Sequence, residues 1–312
     1  MIATVTLNPA VDKTLNASRI VLGAVNRMET VNNLPGGKGI NVTKVLRKYN
    51  KDVITLGLLG GYQGQFIAES ILKMGAVDKF TRVSGQTRTS INVISDDGYV
   101  TELLEPGPTI LPNEMEAFVK TYKEEVDKCD IIALSGSAPI GVPTSIYADL
   151  INYANACGKK VLLDSSGDLL KKGIYARPYM VKPNLKELET LLGRKLQNMQ
   201  EICDGAAQIV EWGVPNVMVS MGAKGILYAY EDEDAIGLCH AFADNIKPIN
   251  TVGSGDSVVA ALALSVTEGL DHTDTLKRCV AISAANTLSI ENGVVDPNMV
   301  KEIEATLKVS NL

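Results

Sequence analysis

The sequence is short of the residues on which metal, thiol and imidazole chemistry usually rest. Only two histidines occur, His240 and His272, and neither belongs to an HExxH motif or another metal-ligand spacing, which speaks against a zinc hydrolase. The five cysteines, Cys129, Cys157, Cys203, Cys239 and Cys279, are odd in number, far apart and without a CxxC, so neither a disulfide framework nor a zinc knuckle is expected. A reducing, cytoplasmic setting follows. No basic stripe accompanies the net charge of −6, which excludes nucleic acid as an expected partner. No apolar run reaches the length of a membrane span, and Met1 to Leu7 runs straight into Asn8-Pro9 without the basic start or apolar length of a signal peptide. No membrane association is expected. A GxSxG elbow after a strand is also missing, and the acidic run Glu231-Asp232-Glu233-Asp234 reads as a solvated turn rather than a calcium loop.

What is present is a large apolar fraction, 46% of 312 residues, with 21% charged. Short β-branched runs at Ala3 to Leu7, Val53 to Leu59, Asp130 to Leu134, Lys160 to Asp164, Met180 to Lys182 and Val217 to Ser220 each precede a helical pattern. This alternation predicts an α/β fold with a doubly wound, mostly parallel sheet flanked by helices, in which ligands sit beyond the carboxyl ends of the strands. Thr89 to Ser95 and Tyr99 to Leu103, joined through Asp96-Asp97-Gly98, read instead as a β-hairpin. The stretch from about 12 to 34 has no helical period and is expected to join it, giving one domain over 1–312 with a small β-strand lid built from about 12–34 and 86–105. Two long apolar helices are expected from Ser254 to Gly269 and from His272 to Glu291.

Two glycine-rich turns carry the chemical signal. Thr251-Val252-Gly253-Ser254-Gly255-Asp256-Ser257 leads into an apolar helix, where free backbone amides and the helix dipole favour an anion. Asp256 lies in the first turn, placed to take a proton from an attacking hydroxyl, although Ser254 or Asp256 capping the helix is the alternative reading. The turn is neither a Walker A loop nor a dinucleotide fingerprint, because a lysine followed by Ser or Thr is missing from the first pattern and Val258 stands where the second needs glycine. Leu34-Pro35-Gly36-Gly37-Lys38-Gly39-Ile40-Asn41-Val42 opens another helix, with Val42, Val45, Leu46 and Tyr49 as its apolar face. Arg27 precedes this motif and Arg88 precedes the hairpin, so Arg27, Lys38 and Arg88 are expected to converge on a phosphate carried by the substrate. Asn8 and Asp12 follow the first strand at a ligand-facing edge, where an Asx-turn is the structural alternative to sugar binding.

Together these two motifs resemble the signatures of the ribokinase-like, phosphofructokinase B family of carbohydrate kinases. The likeness extends to Thr4 to Asp12, to Lys182-Pro183-Asn184 with Glu187, and to Ser220-Met221-Gly222-Ala223-Lys224-Gly225, and so spans essentially the whole chain. Two departures are mild: Ser254 stands where alanine is common, and Ala138 where leucine is common. The resemblance implies that Asp256 is the catalytic base and that Gly253, Ser254 and Gly255 form the anion hole with it. It implies Asp12, Gly37, Lys38 and Asn41 against the sugar, and Arg27, Lys38 and Arg88 on its phosphate. Lys182, Asn184 and Glu187 would organise ATP and Mg2+, with Glu187 reaching the metal through water; Ser220, Gly222 and Gly225 would form the nucleotide loop, and Asn286 would line the adenine pocket. Within the family the likeness is greatest to kinases of fructose 1-phosphate, then of tagatose 6-phosphate, each giving a 1,6-bisphosphate. A homodimer through the lid is a further implication. A sugar-phosphate-binding regulator without turnover, and a nicotinamide-dependent dehydrogenase, are the readings from other classes.

Overall fold

The computed structural model describes residues 1–96, 100–233 and 235–312. In chain order the strands are β1 (Ile2–Thr6), β2 (Ala10–Ala17), β3 (Thr30–Gly36), β4 (Val53–Leu59), β5 (Val77–Asp78), β6 (Thr81–Arg82), β7 (Arg88–Ser95), β8 (Val100–Leu104), β9 (Ile131–Ser135), β10 (Lys160–Asp164), β11 (Met180–Val181), β12 (Asn216–Ser220), β13 (Ile226–Asp232), β14 (Ala235–Ala241) and β15 (Val309–Asn311). The α-helices are α1 (Lys38–Lys48), α2 (Gly61–Lys73), α3 (Pro112–Val126), α4 (Ile146–Ala156), α5 (Gly167–Tyr175), α6 (Leu185–Leu192), α7 (Met199–Glu211), α8 (Ser254–Glu268), α9 (His272–Thr287) and α10 (Pro297–Thr306).

The main sheet runs β15-β14-β13-β12-β11-β10-β9-β1-β4-β5, with β6 also beside β4. Every pair from β12 across to β5 is parallel, whereas β12 to β15 extend the sheet antiparallel. Successive side chains of a strand point to opposite faces. Along β9, Ile131 and Ala133 accordingly enter one apolar layer while Ile132 and Leu134 enter the other. The first layer meets Val42 and Leu46 of α1, most of α8, and Leu276 and Ile282 of α9; the second meets Phe118 and Tyr122 of α3, Ile151 of α4 and Ile209 of α7. Burial on both faces is why the parallel strands read as continuous apolar runs instead of alternating ones. The predicted α/β fold, mostly parallel and helix-covered, is the one observed.

Helix α8 packs against both α1 and α9, and its residues from Asp256 to Ser265 are all buried. A helix that is apolar all round belongs inside the molecule. Its N-terminus therefore starts at the edge of the core.

Four strands form a separate sheet in the order β3-β2-β7-β8. β2 pairs antiparallel with β3 and parallel with β7, and the predicted hairpin is the antiparallel pair β7 and β8. Its Asp97-Gly98 turn lies outside the described residues, as does Asp234 of the acidic run. Registers sort this sheet into two faces. Asp12 lies level with Leu34 and Ser90, on the face of Gly36 and Arg88; Leu15, Val31, Ile91, Val93 and Leu103 lie on the opposite face.

After β1 the chain passes to β4 on one side and later returns to β9 on the other, so the strand order reverses between β1 and β9. Such a switch point opens a crevice at the carboxyl ends of its strands. Here the small sheet follows β1 after three residues, and Asn8 Nδ2 donates across the crevice to Pro106 O (3.2 Å) and Ser137 Oγ (3.4 Å).

Candidate active site

The start of α8 forms one wall of the site. Gly253 precedes the helix with φ of 79°, a left-handed conformation that a β-carbon disfavours. No side chain caps the helix: Ser254 Oγ donates back to Thr251 O (2.9 Å), and Asp256 is engaged elsewhere. Helices α6, α7 and α9 are by contrast capped by Asn184, Asn198 and Asp271. The first N–H groups of a helix have no intrahelical acceptor, so an uncapped start keeps donors and dipole available to an anion. The capping alternative for Ser254 and Asp256 therefore does not describe this helix.

Asp256 is 6% exposed, and its Oδ2 accepts a hydrogen bond from Asn41 Nδ2 at 2.8 Å. Burial pushes its carboxyl up to about 6, against the pull of Lys38 and the Asn41 hydrogen bond and with added repulsion from Asp164. A carboxylate in that range is ionised at neutral pH yet basic enough to accept a proton.

Asp164, at the end of β10, is wholly buried between two ammonium groups: Lys38 Nζ lies at 3.0 Å and Lys182 Nζ at 3.4 Å from the same oxygen, Oδ1. Burial alone would raise its carboxyl, but the two lysines hold it below the ordinary value. Burial likewise works to lower Lys38, and Asp164 with Asp256 overcomes it, leaving the ammonium firmly charged. Lys182 also stands beside the α8 loop, since a β-carbon at Gly255 would come within 3.2 Å of its Nζ.

The cation cluster differs from the expected one. Lys38 belongs to this Asp164 pair rather than to a group with Arg27 and Arg88. Arg27 is exposed on the connection between β2 and β3, with no ion pair or hydrogen bond among the described residues. The long connection and the ion-pair demand of Asp164, neither visible in linear spacing, account for the difference. Arg88 does approach the small sheet's acid: it donates to Asn8 O (3.3 Å) and Glu105 O (3.1 Å) and lowers the Asp12 carboxyl, as does Lys44. Burial nevertheless dominates and leaves Asp12 above its ordinary value. A β-carbon at Gly36 would sit 2.2 Å from the Asp12 carboxyl carbon, so the glycine makes room for that carboxylate. Gly37, with φ of 111°, turns the chain from β3 into α1 against Thr6 and Pro9.

On the other side of Asp256 lies a cleft of about 350 Å³ lined by Ser220, Gly222 and Gly225, by Ser254 and Gly255, and by the apolar Ala243, Ile246, Pro248 and Val280. Its shape and lining suit a flat aromatic base with a polyanionic tail. Asn286 does not line it. That residue is 1% exposed, donates to Val252 O (3.0 Å) and Ser254 Oγ (3.4 Å), and accepts from Gly293 N (2.9 Å), so it braces the α8 loop from behind. Asn184 and Glu187 exchange hydrogen bonds, each 2.8 Å, in a capping box at the start of α6. Glu187 Oε1 has no partner among the described residues and borders a neighbouring cleft with Asn184. Among the described residues no three acidic, His or Cys side chains gather as a metal cluster.

Sequence reasoning missed Asp164, Lys44, Gly36 and Asn292. Asp164 closes a predicted strand, and Lys44 falls three residues after Asn41 on one helix, so both had positional signals. Asn292 had none: it reaches the site only because its loop is tied to the α8 turn through Asn250, whose Nδ2 donates to Asn292 Oδ1 at 2.8 Å.

Residues 5–296 match the profile of the pfkB family carbohydrate kinases. The chain is 37% identical to a 1-phosphofructokinase of Haemophilus influenzae, covering 99% of this chain and 98% of that one. It is 34% identical to a tagatose-6-phosphate kinase of Staphylococcus epidermidis, covering 99% of each. A crystal structure of phosphofructokinase-2 from Escherichia coli in complex with substrates and products superposes with a TM-score of 0.89 at 27% identity, over 97% of this chain and 98% of that one. With the family profile matched over residues 5–296 and relatives aligned over nearly their whole length, the chain belongs to the pfkB family of carbohydrate kinases.

Proposed function

We propose that the protein phosphorylates the free primary hydroxyl of a ketohexose monophosphate from ATP, with fructose 1-phosphate as acceptor and fructose 1,6-bisphosphate as product. The observation that carries this reading is the position of Asp256: a buried carboxyl at about 6 stands at an uncapped helix start, between an apolar cleft on one side and the Asp12, Lys44 and Arg88 group on the other. Asp256 accepts the hydroxyl proton as phosphoryl transfer begins. The amides from Gly253 to Asp256 face the charge that develops on the transferred group, and Lys182 adds a nearby cation. Asp12 reads sugar hydroxyls with Gly37 and Asn41, while Arg88 addresses the substrate phosphate. Arg27 is a phosphate ligand only if its exposed connection moves inward.

Ser220, Gly222 and Gly225 hold the nucleotide. Magnesium keeps most of its waters and needs only one or two carboxylates beside substrate phosphates, so a single carboxylate with a free oxygen fits it; Glu187 would supply that oxygen, through water. When bound, the ion neutralises phosphate charge. The small sheet acts as a lid over the sugar, and the half-exposed Val31 and Leu103 on its face opposite Asp12 support a homodimer through that face. Five unpaired cysteines support a cytoplasmic setting.

The 34% identity to a tagatose-6-phosphate kinase keeps tagatose 6-phosphate as the second acceptor. ADP release with fructose 1-phosphate, tagatose 6-phosphate, fructose 6-phosphate and ribose at matched low concentrations tests the reading. The expected result is the highest kcat/KM for fructose 1-phosphate. Preference for tagatose 6-phosphate would exchange the two acceptors, and preference for ribose would overturn the substrate-phosphate assignment.

A further inference from the structure

Asn41 bonds the base through one end of its amide, and what decides which end faces Asp256 is a residue outside the site as read from sequence. Lys44 lies one helical turn further along α1, and its ammonium turns inward. Nζ donates to Asn41 Oδ1 (3.1 Å) and to Asn292 O (3.3 Å). An ammonium can only donate, so it admits the oxygen end of the Asn41 amide and rejects the NH2 end. The NH2 end must then point to Asp256, where the 2.8 Å hydrogen bond is found. Burial lowers the Lys44 ammonium, and the charges of Asp12, Asp256 and Glu291 oppose the loss of its proton.

We propose that Lys44 is a positioning residue for phosphoryl transfer: by holding Asn41 Oδ1 it fixes the amide so that its NH2 grips Asp256. The chain Lys44 to Asn41 to Asp256 keeps one carboxylate oxygen engaged and presents the other to the substrate hydroxyl. The proposal rests on the assignment of Asp256 as base for its kinetic part only, because the hydrogen-bond chain exists in the resting protein.

The titratable groups facing Asp256 are Lys38, Asp164, Lys182 and Lys44, and those facing Lys44 are Asp12, Asp256 and Glu291. Lys44→Met removes a cation and frees Asn41 to flip, both of which disfavour ionised Asp256. The expected result is a kcat at least tenfold lower with little change in nucleotide KM, and an acid limb of the kcat profile moved to higher pH. Lys44→Arg, also a donor-only cation, recovers most of the loss. Once Asn41 is Leu, adding Lys44→Met costs little more, because both act on one hydrogen-bond chain. Lys44→Gln, whose amide rotates and leaves Asn41 unspecified, serves if the Met variant does not fold. In parallel, 13C NMR of the Asp256 carboxyl in the resting protein reads its titration midpoint without turnover, and a higher midpoint in the Lys44 variant is expected. An unmoved midpoint and acid limb, or multiplying rather than overlapping effects of the two substitutions, would overturn the proposal. If the wild-type protein turned over no sugar phosphate while the midpoint still moved, the proposed function would fail and the positioning role would stand.

Discussion

At the scale of single residues, catalysis and stability pull on Asp256 in opposite directions. Its carboxyl stands at about 6 in the folded protein against 3.8 for an unperturbed group, so the native state binds the proton more readily than the unfolded chain does. Stability therefore falls as pH rises from about 4 through about 6, and the ionised carboxylate is a liability above that. Asp256→Asn should lower turnover about 10²–10⁴-fold if the residue is the base. The same variant should be more stable at pH 8 by on the order of 2–3 kcal/mol, following the size of the shift, and the gain should shrink toward pH 4. Urea melts of both proteins at the two pH values check this; the same stability difference between variant and wild type at pH 4 and pH 8 would mean that the carboxyl is not strained by burial. Asp164 has the opposite sign. Held below its ordinary value by Lys38 and Lys182, it contributes stability at neutral pH that is lost as acid titrates it. Asp164→Asn leaves Lys182, 5% exposed, beside a neutral amide and should cost roughly 3–5 kcal/mol, the range for breaking a buried pair. Denaturant midpoints at constant m-value would show it.

At the scale of elements, glycines decide where the site's carboxylates fit. Gly36 on β3 leaves the space that the Asp12 carboxylate fills. Gly36→Ala should displace Asp12 and raise the sugar KM at least tenfold while leaving the nucleotide KM near its wild-type value; equal effects on both would place Asp12 elsewhere in the mechanism. The elements themselves were largely legible. The parallel strands β1, β4, β9, β10, β11 and β12 announce themselves as buried apolar runs, whereas the two-residue β5 and β6 do not; α8 and α9 begin at the expected Ser254 and His272 and end within a few residues of expectation. The hairpin was legible from β-branched residues in β7, and the glycine turns marked both helix starts. Contacts that depend on three dimensions were not. Nothing in linear order says that Lys38, at the head of α1, spends its charge on an aspartate 126 residues away, or that Asn41 and Asp256 meet across 215 residues. Asn286 was placed in the right neighbourhood with the wrong orientation, since helical spacing does not tell whether a polar side chain faces the cleft or braces the loop beside it.

At the scale of the whole molecule, the small sheet rests on the main body through Val11, which enters the core, and through contacts of β2 and β3 with α2. Its two faces differ in chemistry. The Asp12 face looks toward the site, while the other shows Val31 at 50% and Leu103 at 54% exposure. Carrying Val31→Glu and Leu103→Glu together should turn a dimer into a monomer in sedimentation velocity without unfolding, because both side chains are already half in water. A protein that is monomeric before the change would remove the dimer from the proposal. Helix α8 adds a consequence of another kind. Its first turn holds Asp256 and its remaining length is a buried rod packed against α1 and α9. Amides in such a rod exchange with solvent only when the whole protein opens. Asp256 therefore stays where the core puts it, and if it is the base, an altered acceptor preference is to be sought in the strands around Asp12 and not in α8.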